Sequence, residues 1–160
     1  MANEGIGGVL RDLRGAIGGL FSGGAFDESQ RVPVEVSFGL IGWLAKADGV
    51  VTSHEAEFAN RLMDELDLPA RGKAVAHAAF IRGQKREIDV AAEVARFLAV
   101  YPKGSPEIAR LYDTLLRLVA SDGRVFSRER AALETLTDAF GLPRATIDAR
   151  LKAVRGEGGD

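Results

Sequence analysis

Two stretches of this sequence repeat each other at an offset of 74 residues: residues 44–69 read LAKADGVVTSHEAEFANRLMDELDLP, and residues 118–143 read LVASDGRVFSRERAALETLTDAFGLP. Ten of the 26 aligned positions are identical, with no gap. Each copy predicts the end of one helix, an Asp-Gly turn, a capping serine, an early glutamate and a second helix that ends before Leu-Pro. Because a helical hairpin alone buries only one face, the two copies are expected to pack around a shared core.

The rest of the body also predicts helices, because apolar residues recur every three or four positions and alternating β-branched runs are lacking. Asp89 reads as an N-cap, Ser105 as a cap before Pro106, and Gly83 and Gly141 as helix stops. The fold prediction is all-α: a single domain of about seven helices built from two pseudo-repeated helical hairpins. The predicted helices cover residues 34–47, 53–66, 71–81, 90–100, 106–121 and 128–140, with a last helix opened by Pro143.

Glycine is concentrated at the two ends of the chain, with eight of the 19 in the first 24 residues and three in the last five. We therefore predict a glycine-rich N-terminal arm over residues 1–30, a helical domain over 31–155 and a flexible tail over 156–160. Gly15, Gly19 and Gly23 are spaced four apart, which places them on one helical face. The uncharged run around them is too short to span a bilayer, which takes about 20 residues.

Two interpretations of the arm stay open. It is either a flexible or weakly helical segment, or a helix that contacts a membrane surface or a second copy of the chain. In the second case the contact uses an apolar face formed by Val9, Leu10, Leu13, Ile17, Leu20 and Phe21.

The repeated turns carry carboxylates at the spacing of the second half of an EF-hand calcium loop. These carboxylates are Asp48 and Glu55 in one copy and Asp122 and Glu129 in the other. The first half of such a loop is absent, so one copy offers too few oxygen ligands to bind calcium tightly. If a local twofold relates the hairpins, the four carboxylates converge on one divalent cation, calcium or magnesium.

A purely structural interpretation of the same turns also stays open. A glycine after a helix takes the left-handed conformation, and Thr52 with Glu55 forms a capping box. This structural interpretation explains the paired aspartates less well, since a carboxylate near a helix C-terminus interacts unfavourably with the helix dipole. The residues assigned to turn formation and capping are Gly49, Thr52, Ser53, Gly123 and Ser127.

Composition excludes several classes of function. There is no cysteine, so disulfides, thiolate metal sites and cysteine nucleophiles are ruled out. The net charge is −2 and no basic patch stands out along the sequence, which argues against a nucleic-acid partner. No nucleophile or metalloprotease motif accompanies the repeated carboxylates, so we predict that the chain is not an enzyme. A metal-dependent hydrolase would need an open cleft beside Asp48 and Asp122.

The doubled Asp-Gly signature, with Phe80-Ile81-Arg82-Gly83 between the copies, resembles the TerB-like (tellurite resistance) domain family. The similarity covers about residues 33–155 and is greatest to the version found in DjlA-type co-chaperones. It implies an all-helical fold, a link to tellurite resistance and envelope stress, and a divalent-metal site at Asp48, Glu55, Asp122 and Glu129. DjlA-type proteins also have a glycine-rich membrane segment and a J domain bearing His-Pro-Asp, a string that is missing from this sequence.

The expected function is a non-enzymatic TerB-like interaction module that binds a protein partner in a stress, envelope or tellurite-resistance pathway. The alternative is the regulatory or dimerising domain of a DjlA-like Hsp70 co-chaperone system, with an N-terminal arm that associates with the membrane. Both interpretations place the chain in the cytoplasm, and the alternative places it at the inner-membrane surface.

Overall fold

The computed structural model describes residues 11–13, 28–45, 53–66, 68–120 and 127–158. Within these residues the chain forms seven helices and no strand, and residues 11–13 form one further helical turn. The predicted all-α single domain is therefore confirmed. The helices are α1 (Glu28–Ala45), α2 (Ser53–Glu65), α3 (Ala70–Gln84), α4 (Val90–Val100), α5 (Pro106–Ala120), α6 (Ser127–Ala139) and α7 (Ala145–Gly158).

Helix α1 lies at the centre of the molecule. All residues from 33 to 42 are buried, and α1 packs most extensively on α3 and also contacts α4 and α5. A helix that is apolar on nearly all sides has to be surrounded in this way to remove its side chains from water. The predicted start of α1 at Val34 is wrong: the helix begins at Glu28 and includes Pro33.

The first helices of the two sequence repeats, α1 and α5, contact each other, as the shared-core prediction requires. The second helices of the repeats, α2 and α6, end with the same backbone hydrogen bonds. Gly141 takes a φ of 74° after α6, which confirms it as the left-handed terminator. The equivalent amide-to-carbonyl bonds are Leu66 to Leu62 and Phe140 to Leu136, then Leu68 to Met63 and Leu142 to Thr137.

Two glycines, Gly42 and Gly83, allow α1 and α3 to approach closely. A Cβ atom on Gly42 would lie 2.2 Å from the Phe80 carbonyl oxygen, and one on Gly83 would lie 2.1 Å from the Gly39 carbonyl oxygen. The prediction that Gly83 stops α3 is therefore wrong, because Gly83 lies inside the helix and serves close packing.

The end of α3 uses an arginine where a glycine is more usual. Arg86 has a φ of 58°, and its N–H donates to the Gly83 carbonyl while the Glu87 N–H donates to the Arg82 carbonyl. This pair of bonds satisfies the last carbonyls of the helix in the same way as a glycine terminator does.

Two predicted helix starts have different outcomes. Asp89 caps α4 as expected, since its side chain accepts a hydrogen bond from the Ala92 N–H at 3.1 Å. Before α5, the Ser105 hydroxyl instead donates to the Pro102 carbonyl oxygen at 2.6 Å. Among the described residues, none of the helices combines the length and the apolar character needed to cross a bilayer.

Candidate functional site

Two of the four predicted cation ligands, Asp48 and Asp122, lie outside the described residues. The same holds for Gly49, Thr52 and Gly123, which are predicted to form and cap the same turns. The arm residues Gly15, Gly19 and Gly23 also lie outside them.

The remaining residues of the predicted cation and capping sites lie at the starts of α2 and α6. Ser53 and Glu55 are in the first turn of α2. Ser127 is the first residue of α6 and is exposed, and Glu129 in the same turn is half-buried. Within the described part of the chain, no three histidine, aspartate or glutamate side chains lie close enough together to hold a metal ion. The cation site stays a prediction.

One arm residue from the predicted apolar face has a described position. Leu13 is fully buried and belongs to the main hydrophobic core. For Leu13 the expectation of membrane or intermolecular contact is therefore wrong, because its side chain is already packed inside the fold.

Asp12, next to Leu13, is the most deeply buried carboxylate among the described residues, with 1% of its surface exposed. Its Oδ1 atom accepts a hydrogen bond from Arg110 Nη1 at 2.9 Å, and its Oδ2 atom accepts one from Arg117 Nε at 2.6 Å. The Arg11 Nε atom lies 3.7 Å from Oδ1. We call these four residues the Asp12 cluster. It joins the N-terminal turn to α5 across about 100 positions of sequence.

A second buried carboxylate, Glu35 of α1, is surrounded by arginines from three helices. Arg96 of α4 donates to its Oε1 atom at 2.5 Å, while Arg82 of α3 and Arg31 of α1 lie 3.5 and 3.6 Å from its Oε2 atom. Arg96 also donates to both carboxylate oxygens of Glu93. We call these five residues the Glu35 cluster. Burial acts to lower the pKa of Arg96, but its hydrogen bonds and charge contacts with the two glutamates act more strongly in the opposite direction. The net effect is that the pKa of Arg96 is raised.

Arg86 contributes a third contact of an arginine with the core. Its guanidinium carbon lies 4.5 Å from the centre of the Trp43 ring, in the geometry of a cation–π interaction. Burial lowers the pKa of the Arg86 guanidinium. Because Arg86 precedes α4 and Trp43 lies on α1, the contact fixes the α3–α4 connection against the central helix.

The described surface is polar. Val100 is the only large hydrophobic side chain counted as exposed in this part of the chain. The arginines of the two clusters make charge-assisted hydrogen bonds to buried carboxylates, which hold their guanidinium groups in place on this surface.

Sequence reasoning missed both clusters. One signal was available for Glu35, since it is the only charged residue between positions 32 and 45, and a single charge in such an apolar run predicts a buried ion pair. Asp12 gave a weaker signal, as an acid between Arg11 and Arg14 in a glycine-rich segment. Neither signal identifies the partners, which lie far away in the sequence.

Comparison with known proteins confirms the resemblance to the TerB-like family. The family model described as tellurite resistance protein TerB matches residues 36–151. Co-chaperone protein DjlA of Shewanella oneidensis is 29% identical over 153 residues, which are 94% of this chain and 58% of the relative. Co-chaperone protein DjlA of Escherichia coli K12 is 26% identical over 130 residues, which are 81% of this chain and 48% of the relative.

The chain thus spans about half the length of these relatives. No solved structure matches it. Because the matched region covers well over half of the chain and coincides with the helical body, this protein belongs to the family of tellurite resistance protein TerB.

Proposed function

We propose that this chain is a non-enzymatic TerB-type helical module that binds a protein partner within a co-chaperone system. The observation that carries the proposal is the alignment with two co-chaperones over 94% and 81% of the chain. The polar surface and the two arginine clusters support recognition of the partner through charged groups rather than through an apolar groove.

A direct binding experiment tests this proposal. The full chain is immobilised, and the Hsp70 chaperone and a J-domain co-chaperone of the same organism are passed over it in turn. We expect saturable binding of one of them with a Kd of about 1–10 µM, typical of a transient complex, and a change in the rate of luciferase refolding when the chain is added. Absence of binding to both proteins, together with an unchanged refolding rate, contradicts the proposal.

A matched control separates binding by the folded module from adhesion of the polypeptide. Leu136 is fully buried in α6, so Leu136→Asp places a charge in the core and unfolds the helical body. Binding by the module is expected to disappear in this variant. Equal binding of the unfolded variant would show that the chain is recognised as a chaperone substrate, and would contradict the proposed role.

A divalent cation, calcium or magnesium, is the second element of the proposal. Its support is the sequence repeat, which gives both turns an aspartate and a glutamate at the same spacing, Asp48 with Glu55 and Asp122 with Glu129. Calorimetric titration with each cation, on the wild type and on Asp48→Asn/Asp122→Asn, tests it. We expect heat of binding and a raised melting temperature in the wild type alone.

The repeat also supplies the control for the cation experiment. Asp64 and Asp138 occupy equivalent positions in the two copies but lie outside the turns, where they pair with Lys73 and Arg144 respectively. The variant Asp64→Asn/Asp138→Asn removes the same charge and should bind the cation as the wild type does. If the wild type gives no heat, or both double variants lose it equally, the turns are not the binding site.

The pathway we propose is a stress response, in tellurite resistance or at the cell envelope, with the chain in the cytoplasm or at the inner surface of the membrane. Deleting the gene tests the pathway. We expect increased sensitivity to tellurite or to envelope stress, restored by the wild-type chain but not by Leu136→Asp. A deletion strain that grows like its parent under both stresses contradicts this part of the proposal.

A further inference from the structure

Three cationic side chains, Arg82, Lys85 and Arg86, lie at the C-terminal end of α3. Arg82 and Arg86 are four positions apart, which is about one helical turn, so the three residues belong to one end of the helix. We call them the α3 end patch. Lys85 and Arg86 are exposed, and the side chain of Arg82 remains 42% exposed, so a ligand in solution can reach all three.

The α3 end patch has little counter-charge of its own. Arg82 lies 3.5 Å from Glu35 Oε2, and the same carboxylate is already hydrogen-bonded to Arg96. Lys85 and Arg86 make no ion pair with any other residue that the structure describes. Three cations therefore share part of one buried carboxylate.

The other charges near this end of α3 do not neutralise the patch. The side chain of Asp89 caps α4, and Glu87 is exposed and pairs with none of the described cations. The C-terminus of a helix attracts cations, but its dipole is equivalent to only about half a negative charge. Most of the charge of the patch thus remains available to an anionic ligand.

Arg86 is held in a position from which it can bind an anion. Its backbone has a φ of 58°, and its guanidinium carbon lies 4.5 Å from the centre of the Trp43 ring. Burial lowers the pKa of this guanidinium and no carboxylate opposes that shift, whereas two glutamates oppose it at Arg96. Because the ring already orients the guanidinium, a carboxylate from a ligand can pair with it at a small cost in side-chain entropy.

We propose that the α3 end patch binds an acidic segment of a protein partner, whose carboxylates pair with Arg82, Lys85 and Arg86. This inference rests on the proposed function, because it specifies the chemistry of the partner. Three cations within one helical turn match a segment in which several acids are close together in sequence.

Anisotropy of a labelled acidic peptide tests the inference on the full chain. The probe is fluorescein-labelled hexaglutamate in a buffer of about 50 mM salt, where screening is weak. It is titrated with the wild type and with Lys85→Glu/Arg86→Gly, which changes two exposed residues and places glycine where φ is 58°. We expect saturable binding to the wild type and binding at least about tenfold weaker to this variant.

A control variant carries the same change in net charge elsewhere. Arg71 at the start of α3 and Lys152 in α7 are both exposed, so Arg71→Ala/Lys152→Glu should bind the peptide within about twofold of the wild type. Circular dichroism confirms that both double variants are folded. If Lys85→Glu/Arg86→Gly does not fold, Lys85→Glu alone replaces it, with an expected loss of at least about threefold.

Trp43 reports where the peptide binds, because it is the only tryptophan of the chain and contacts Arg86. We expect its emission to change as unlabelled hexaglutamate saturates the wild type. A wild type that does not bind the peptide overturns the proposal, as does equal binding by the wild type and the patch variant. Loss of binding in the control variant to the same extent also overturns it, because binding then follows net charge alone.

Two further measurements separate the acidic segment from other partners and from the proposed function. Vesicles of phosphatidylglycerol that bind the wild type but not the patch variant, with no binding of hexaglutamate, would assign the patch to a membrane surface and overturn the proposal. Equal binding of the chaperone or co-chaperone to the wild type and the patch variant overturns this inference and leaves the proposed function in place. If neither protein binds, the proposed function fails, while patch-dependent binding of hexaglutamate still supports a site for acidic segments.

Discussion

Replacing Gly83 by alanine is expected to damage the central helix crossing, although alanine is the better helix former. The new Cβ atom would lie 2.1 Å from the Gly39 carbonyl oxygen and 2.7 Å from the Trp43 amide nitrogen. Both neighbours are backbone atoms of α1, so no rotamer change relieves the contact. The two helices must move apart, and the packing around the crossing is lost with them.

The size of the effect follows from two opposing contributions. Overpacking of a well-packed interior costs about 1–3 kcal/mol, and a backbone clash belongs at the upper end of that range. Alanine in place of glycine inside a helix returns about 1 kcal/mol through its helix propensity. The expected net loss is about 2 kcal/mol of unfolding free energy, which lowers the melting temperature by about 4–8 °C in a chain of this length.

Gly39 supplies a matched control on the same crossing. A Cβ atom there would have its nearest neighbours at 3.8 Å, an ordinary contact distance. Gly39→Ala is therefore expected to stabilise the protein by about 0.5–1 kcal/mol. Urea unfolding followed by circular dichroism gives both free energies. If Gly83→Ala and Gly39→Ala have the same stability within about 0.5 kcal/mol, the close approach of α1 and α3 does not limit packing, and the reasoning is refuted.

Three further predictions concern contacts made by single polar or charged side chains. Glu35→Gln leaves the surrounding arginines without their buried counter-charge. We expect the unfolding free energy measured in urea to fall by about 1–2 kcal/mol and no further, because those arginines stay partly hydrated. An unchanged urea midpoint contradicts this prediction. Tyr112→Phe removes the hydrogen bond from its hydroxyl to Thr137, 2.7 Å long, at a cost of about 1 kcal/mol. Burial raises the pKa of Tyr112 above 10 in the folded state, so wild-type stability is retained below pH 10 and falls as the pH rises beyond it, less so in the phenylalanine variant. Arg86→Ala loses the cation–π contact and keeps the strained backbone, whereas Arg86→Gly loses the same contact and relieves the strain. The Arg86→Gly variant should therefore be more stable than Arg86→Ala by about 1 kcal/mol. Trp43 fluorescence should be altered in both variants.

The sequence was sufficient to predict the fold because the signals that define it are local. Apolar spacing located the helices, Asp89 marked the start of α4, and Gly141 marked the end of α6. The repeat gave more than secondary structure, since the first helix of each copy contacts the other in the molecule. Each of these inferences depends on residues separated by a few positions or by a fixed offset.

The candidate sites depend on contacts that no local pattern contains. Glu35 and Arg96 are 61 residues apart, and Asp12 and Arg117 are 105 apart. Gly83 shows the same difficulty, because a glycine near a helix end reads as a stop unless the helix that crosses it is known. In each case the tertiary neighbour decides the role of the residue, and only the three-dimensional structure identifies that neighbour.

The Asp12 cluster also sets an order of events during protein synthesis. Residues 11–13 leave the ribosome before their binding site on α5, which follows about 100 residues later. At a typical elongation rate of about 5–20 residues per second, the N-terminal turn waits for about 5–20 seconds before its own site exists. During that interval the segment is available to any chaperone near the ribosome, and it cannot dock until α5 has been synthesised.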